Sequence, residues 1–147
     1  MPEKFVPDTN CIVAAVCDWH EHHARALGEI RRRLAAGQVM VIAAPTIIES
    51  YSVLTRLPPP RRLSPRQAVV LLDEDFLTHA DDIVVLSAMD YRETARMSAR
   101  RGVAGGRIYD AIIAVCARIA RANVLLTFNA SDFRDVVSQE IEVVVPE

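Results

Sequence analysis

The stretch Lys4-Phe5-Val6-Pro7-Asp8-Thr9-Asn10-Cys11-Ile12-Val13-Ala14-Ala15-Val16-Cys17 decides the fold class. Lys4 to Pro7 is a short apolar run that ends on an acid, Asp8, and reads as a buried strand. Thr9 to Cys17 follows without a turn as an apolar run of helical character. A strand passing straight into a helix is the opening unit of an α/β chain. A carboxylate directly after such a strand is at least partly buried. Left unpaired there it costs several kcal/mol, so Asp8 requires a cation, a metal ion or hydrogen bonds, with Thr9 and Asn10 the nearest donors.

The rest of the chain repeats the alternation. Asp18-Trp19-His20 breaks the first helix, and Glu21 to Ala36 forms a second with Ala26, Leu27, Ile30 and Leu34 as its apolar stripe. Gly37 stops that helix. Gln38 to Ala43 is a second strand, and Pro45-Thr46 opens a helix that the prolines after Leu57 end. Ser64-Pro65-Arg66-Gln67 is a helix start with a serine cap, proline at the first position and glutamine three residues after the cap, for a helix reaching about Leu77. Ile83 to Leu86 is a strand, Ala88 to Arg101 a helix, Gly102 to Gly106 a loop, Ile108 to Ala122 a long apolar helix, Val124 to Thr127 a strand, Asn129 to Val136 a short helical segment and Ile141 to Val145 a last strand. The strands are continuous apolar runs rather than alternating ones. That pattern predicts a central, mostly parallel sheet of four to five strands with helices on both faces, a three-layer α/β/α domain over residues 1–147. Leu57 to Ser64 is the best candidate for a mobile loop.

Composition bounds the function. The chain has 147 residues, 51% of them hydrophobic and 24% charged, which suits one domain with one core and excludes disorder of the whole chain. A net charge of -2 excludes a bulk basic field. Lys4 is the only lysine, and arginine pairs phosphate oxygens two at a time. Coding bias accounts for the same pattern, so the arginines support a phosphate substrate only weakly. Cys11, Cys17 and Cys116 lie in apolar runs without a C-x-x-C pair, which favours a reducing compartment. With no secretory pattern at the start and no apolar run near the ~18 residues a bilayer requires, the expected location is the cytoplasm and no membrane partner is expected.

Four acids sit where ligands bind in such sheets, beyond the carboxyl ends of strands. Asp8 closes the first strand, Glu49 lies early in the helix after the second, Asp110 opens the long helix after the glycine loop, and Asp132 follows the Val124 strand. Singly, three of them have ordinary explanations. Thr46 and Glu49 have the spacing of a capping box, Asp110 suits the positive end of a helix, and Asn129 with Asp132 is another cap-like pair. Jointly, acids converging on one crevice repel one another and raise each other's pKa values. Hard divalent cations relieve that repulsion, and an oxygen-only donor set suits Mg²⁺ or Mn²⁺ rather than zinc. Such an ion polarises a phosphodiester and turns water into a nucleophile.

Phe5-Val6-Pro7-Asp8-Thr9-Asn10, Glu49 in Thr46-Ile47-Ile48-Glu49-Ser50, Tyr109-Asp110-Ala111-Ile112-Ile113-Ala114 and Leu126-Thr127-Phe128-Asn129-Ala130-Ser131-Asp132-Phe133 together resemble the PIN-domain family, and within it the VapC toxins of bacterial toxin–antitoxin pairs. The resemblance covers nearly the whole chain. It implies a metal-dependent endoribonuclease using Mg²⁺ or Mn²⁺, an RNA substrate, a VapB-like antitoxin and a homodimer. It implies Asp8 and Asp110 as principal metal ligands, Glu49 completing the site directly or through water, and Asp132 as the fourth acid with Asn129 as its possible substitute. Thr9, Asn10 and Thr127 would support these ligands through hydrogen bonds, and Arg107, one turn before Asp110, is a candidate for a substrate phosphate. Many relatives carry an acid where Asn129 stands.

Other readings compete. A phosphatase on a Rossmann-like sheet would use Asp8 as nucleophile but wants a second acid two residues on, where this chain has Asn10. A PIN-like fold kept only for protein contacts would not need four intact acids. Trp19-His20-Glu21-His22-His23 invites a zinc site, but adjacent helical residues point apart, so a solvated helix start is expected. Arg31-Arg32-Arg33 reads as an exposed helix face. Gly102 to Arg107 lacks the spacings of a phosphate-cradling loop, and Ser50 lacks the G-x-S-x-G setting of a hydrolase serine. Val53, Leu54, Val69, Val70, Leu71 and Leu72 suit either core or interface.

Overall fold

A computed structural model describes all 147 residues. Five strands, β1 (Lys4–Pro7), β2 (Val39–Ala43), β3 (Asp82–Val84), β4 (Val124–Leu126) and β5 (Glu142–Val144), form one sheet in the order β3-β2-β1-β4-β5. Every pairing is parallel, so the sheet is wholly rather than mostly parallel. Phe5 pairs with Met40 on one side and Val124 on the other, which puts β1 at the centre.

Successive strand residues face opposite sides, and that alternation builds two cores from one sheet. Phe5, Met40, Ile42, Val124 and Leu126 face one side with residues of the helices α1 (Thr9–Val16), α2 (His23–Ala35), α3 (Ala44–Thr55) and α4 (Pro65–Val69). Val6, Val41, Leu125 and Val84 face the other with Ile113, Cys116 and Ala117 of α6 (Arg107–Ile119) and Phe133 of α7 (Ala130–Phe133). The helix α5 (Ala88–Arg100) packs on α6. Phe5, Ile12, Leu54, Ile113 and Leu125 are fully enclosed, each contributing roughly 1.5–3 kcal/mol of transfer free energy. No helix is long and apolar enough to cross a membrane.

Local signals act as the sequence predicts at most ends. Gly37 takes φ 83° behind α2, a left-handed conformation that suits glycine. Ser64 Oγ accepts from Gln67 N at 3.2 Å while Gln67 Oε1 accepts from Ser64 N at 2.9 Å, completing the capping box. Three expectations need correction. The helix from Pro65 does not stay α-helical to Leu77: it becomes a π-helix over Val70–Phe76 and a 3-10 turn over Leu77–His79, which keeps Leu72 and Phe76 in the core. The segment after Asn129 is helical only over Ala130–Phe133. Arg31 and Arg32 are exposed, but Arg33 is not; it lies over the Phe5 ring at 5.9 Å and donates to Glu29 Oε1 at 2.8 Å. In the segment from Leu57 to Ser64, Leu63 N donates to Leu54 O at 3.1 Å and Arg62 Nε to Leu57 O at 2.8 Å. Of the six aliphatic residues left open between core and interface, Leu54 and Leu72 are core while Val69 and Val70 face solvent.

Candidate active site

The crevice opens where the strand order reverses. From β1 the chain steps to β2 and β3 on one side and returns to β4 and β5 on the other, so the carboxyl ends of β1 and β4 leave a gap between diverging connections. Asp8 follows β1 and caps α1, Thr127 follows β4, and α3 and α6 bring Glu49 and Asp110 to the same gap.

Asp8 is buried, with 5% of its surface exposed. One carboxylate oxygen accepts from Thr9 N at 2.7 Å and the other from Thr127 Oγ1 at 2.8 Å. No cationic side chain lies within ion-pairing distance. Burial pushes its carboxyl up to about 7, the two hydrogen bonds oppose that rise, and the charges of Asp110 and Glu49 add to it. Asp110, in the first turn of α6, is pushed up to about 6 by burial and by Asp132 and Glu49, against the pull of Arg107. Asp110 is thus the hub: it feels Asp132 on one side and Glu49 on the other, and it acts on Asp8.

The neutral residues hold this arrangement. Thr9 serves two acids, its amide on Asp8 and its hydroxyl on Glu49 Oε2 at 2.9 Å. The Thr127 hydroxyl donates to Asp8 and accepts from Asn129 N at 3.0 Å and Asn10 Nδ2 at 3.4 Å, which fixes its direction. Asn10 was expected to donate to Asp8 directly; instead it acts through Thr127, and its Oδ1 accepts from Phe128 N at 3.2 Å.

Two of the ordinary explanations for the acids fail, while Asp110 does lie in the first turn of α6, where the positive end of the helix favours it. Thr46 Oγ1 donates to Ala43 O at 2.6 Å and Glu49 lies a full turn inside α3, so the two form no capping box. Asn129 stands at the start of α7 with its side chain exposed and no capping bond. Ser50, which lacks the setting of a hydrolase serine, is a buried hydroxyl without a hydrogen-bond partner, and sequence reasoning gave no signal for the groove of about 640 Å³ that Glu49 lines together with Ile48, Arg56, Tyr91 and Tyr109.

No three His, Cys, Asp or Glu side chains converge enough to cage an ion by themselves. Mg²⁺ does not require a cage, because it keeps several waters and binds through one or two carboxylates plus substrate phosphate oxygens. Two carboxylates held above their ordinary range by burial and mutual repulsion, with only oxygen donors around them, fit such an ion.

A family model described as a PIN domain matches residues 5–138. The chain is 34% identical over 121 residues to Ribonuclease VapC40 of Mycobacterium tuberculosis, covering 82% of this chain and 84% of that protein. It is 32% identical over 122 residues to Ribonuclease VapC27 of the same species, covering 83% and 82%. Among solved structures, VapBC2 from Rickettsia felis bound to a DNA fragment from their promoter superposes with a TM-score of 0.67 at 20% identity, covering 98% of this chain and 99% of the other. VapC20 of M. tuberculosis, described as a Sarcin-Ricin loop cleaving toxin, gives 0.65 at 16% identity, covering 92% and 97%. At these identities the two structures speak to the fold alone.

Proposed function

The chain belongs to the PIN-domain family, and from that premise we propose that it is a VapC-like toxin: an endoribonuclease that hydrolyses RNA phosphodiester bonds with the aid of Mg²⁺ or Mn²⁺. The observation that carries this reading is Asp8, a buried carboxylate that no cation of the protein neutralises and that two donors hold in a fixed orientation beside Asp110.

Asp8 and Asp110 would be the principal ligands, Glu49 would join directly or through water, and Asp132 would be the fourth acid. Asp132 is preferred to Asn129 because it acts on Asp110 electrostatically, whereas Asn129 is exposed and uncharged. When bound, the ion supplies positive charge that activates water and stabilises the leaving oxygen. The protein supplies position. Thr127 and Thr9 keep both Asp8 oxygens oriented, and the Thr9 hydroxyl keeps Glu49 turned inward. With no ion bound, Asp8 relieves the repulsion by holding a proton up to about neutral pH. Arg107, which is exposed and lowers Asp110's pKa, would meet a substrate phosphate.

The proposed protein partners are a VapB-like antitoxin and a second copy of the chain. Both readings rest on the family and on exposed apolar side chains such as Ile48, Val85 and Met89. The decisive experiment maps RNA ends after incubation with purified protein and Mg²⁺ or Mn²⁺. New 5′-phosphate ends that vanish with EDTA and in Asp8→Asn are expected. Cleavage that persists in both, or ends bearing a cyclic phosphate, rejects the metal-dependent hydrolysis.

A further inference from the structure

The turn from α1 into the first residue of α2 carries Trp19-His20-Glu21-His22-His23, and the rings of Trp19, His20 and His22 form a connected row. The centroids of Trp19 and His20 lie 5.8 Å apart with 41° between the planes, and those of His20 and His22 5.6 Å apart with 46°, so both pairs meet tilted. His22 then stacks on Phe128 at 4.5 Å with 21° between the planes. An arginine stands at each end: the Arg61 guanidinium is 4.9 Å above the Trp19 ring and that of Arg25 is 5.3 Å above Phe128. The histidines are not gathered for a metal. His20 Nδ1 accepts from His22 N at 3.0 Å, and His23 Nδ1 meets Ala14 O at 2.9 Å.

One end of the row is the acid crevice. Phe128 follows Thr127, the donor to Asp8, and its amide is bound by Asn10. The other end is Trp19, the chain's only tryptophan, with 37% of its surface exposed. A lone tryptophan outside both cores, covered on one face by an arginine, is a poor use of the largest apolar side chain unless something else covers it.

We propose that the row from Trp19 to Phe128 is a stacking track for the unpaired bases of an RNA strand whose phosphodiester lies in the acid crevice, with Arg61 and Arg25 bracing its ends. This rests on the nuclease reading above. Every base has a π face, and stacking on aromatic rings tolerates any sequence. Paired bases do not offer that face, so the track selects loops and single strands. The two arginines are offset by the exposed acids Asp18 and Glu21 of the same turn. The grip at this track therefore comes from ring faces more than from bulk charge.

Because Trp19 is the sole tryptophan, its emission reports on the track alone. Full-length Asp8→Asn protein is titrated with a mixed-sequence single-stranded RNA of about 12 nucleotides and with the same strand in a duplex, while anisotropy of an end label follows binding. Quenching by the single strand and not by the duplex is expected. In the otherwise unaltered chain, Trp19→Leu should raise KM about tenfold while kcat moves less than about twofold, and Trp19→Phe should restore most of the loss. Saturable RNA binding that leaves the emission unchanged, or parental KM in Trp19→Leu and Arg61→Gln, overturns the track and leaves the nuclease intact. Failure of the parent chain to cleave any RNA with either metal overturns the nuclease reading, and the track with it.

Discussion

Two carboxylates are buried in this molecule, and they are treated in opposite ways. Glu29 in α2, with 2% of its surface exposed, is held by two arginines of its own helix: Arg33 donates to Oε1 at 2.8 Å and Arg32 pairs with Oε2. Arg33 continues the chain to Gln38 at 3.0 Å, and Gln38 to Glu3 at 2.9 Å, which ties α2 to the start of both central strands. Asp8 is as deeply buried, but its neighbours are two neutral donors and two further acids. Glu29 has its charge compensated inside the fold. Asp8 has it left over, and an uncompensated buried charge marks where something from outside is meant to bind.

Mutation separates the two most sharply. Asp8→Asn removes the leftover charge, so cleavage should fall at least about a thousandfold, while the unliganded protein at pH 8 becomes as stable as the parent or more so. A thermal scan beside a cleavage assay reads both; a marked loss of stability would show that Asp8 serves the fold. Glu29→Ala should do the reverse. Leaving Arg33 without its partner should cost about 3 kcal/mol of stability in urea unfolding, with cleavage per folded molecule unchanged. Thr127→Val keeps the shape but removes the donor to Asp8, and activity should drop about 10- to 100-fold with little change in melting temperature; unchanged activity would mean that Asp8 needs no orientation.

The smallest effect is a linkage. Asp8 and Asp110 titrate at about 7 and about 6 in the fold, against 3.8 for an ordinary aspartate. The folded protein therefore holds more protons than the unfolded chain between those values, and without metal its stability falls as pH rises from about 4 to about 7. Added Mg²⁺ or Mn²⁺ competes with those protons. Its stabilisation should reach about 5 °C at pH 8 and less than about half of that at pH 5, measured by thermal unfolding. A shift independent of pH would place the ion away from these carboxylates.

Much of this was legible from local chemistry. The alternation of apolar strands with helices, Gly37 and the Ser64 box each depend on a few neighbouring residues, and they fold as read. The order of the acids along the chain carried the family resemblance. What escaped the sequence was long-range. Nothing local says that the Thr127 hydroxyl reaches Asp8, that Thr9 reaches Glu49 forty residues on, or that Arg33 turns inward to Glu29 and Phe5. Local rules also misjudged Thr46, whose spacing to Glu49 imitates a cap; Pro45 and the early start of α3 at Ala44 move Glu49 beyond the first turn.

The sequence by itself determined the elements and the identities of the acids, because propensity, periodicity and caps act within a turn or two of the chain. Only the tertiary structure decided which acid would be left without a partner. That depends on strand order, which opens the gap between β1 and β4, and on burial, which is a property of the whole packed chain and of no single segment.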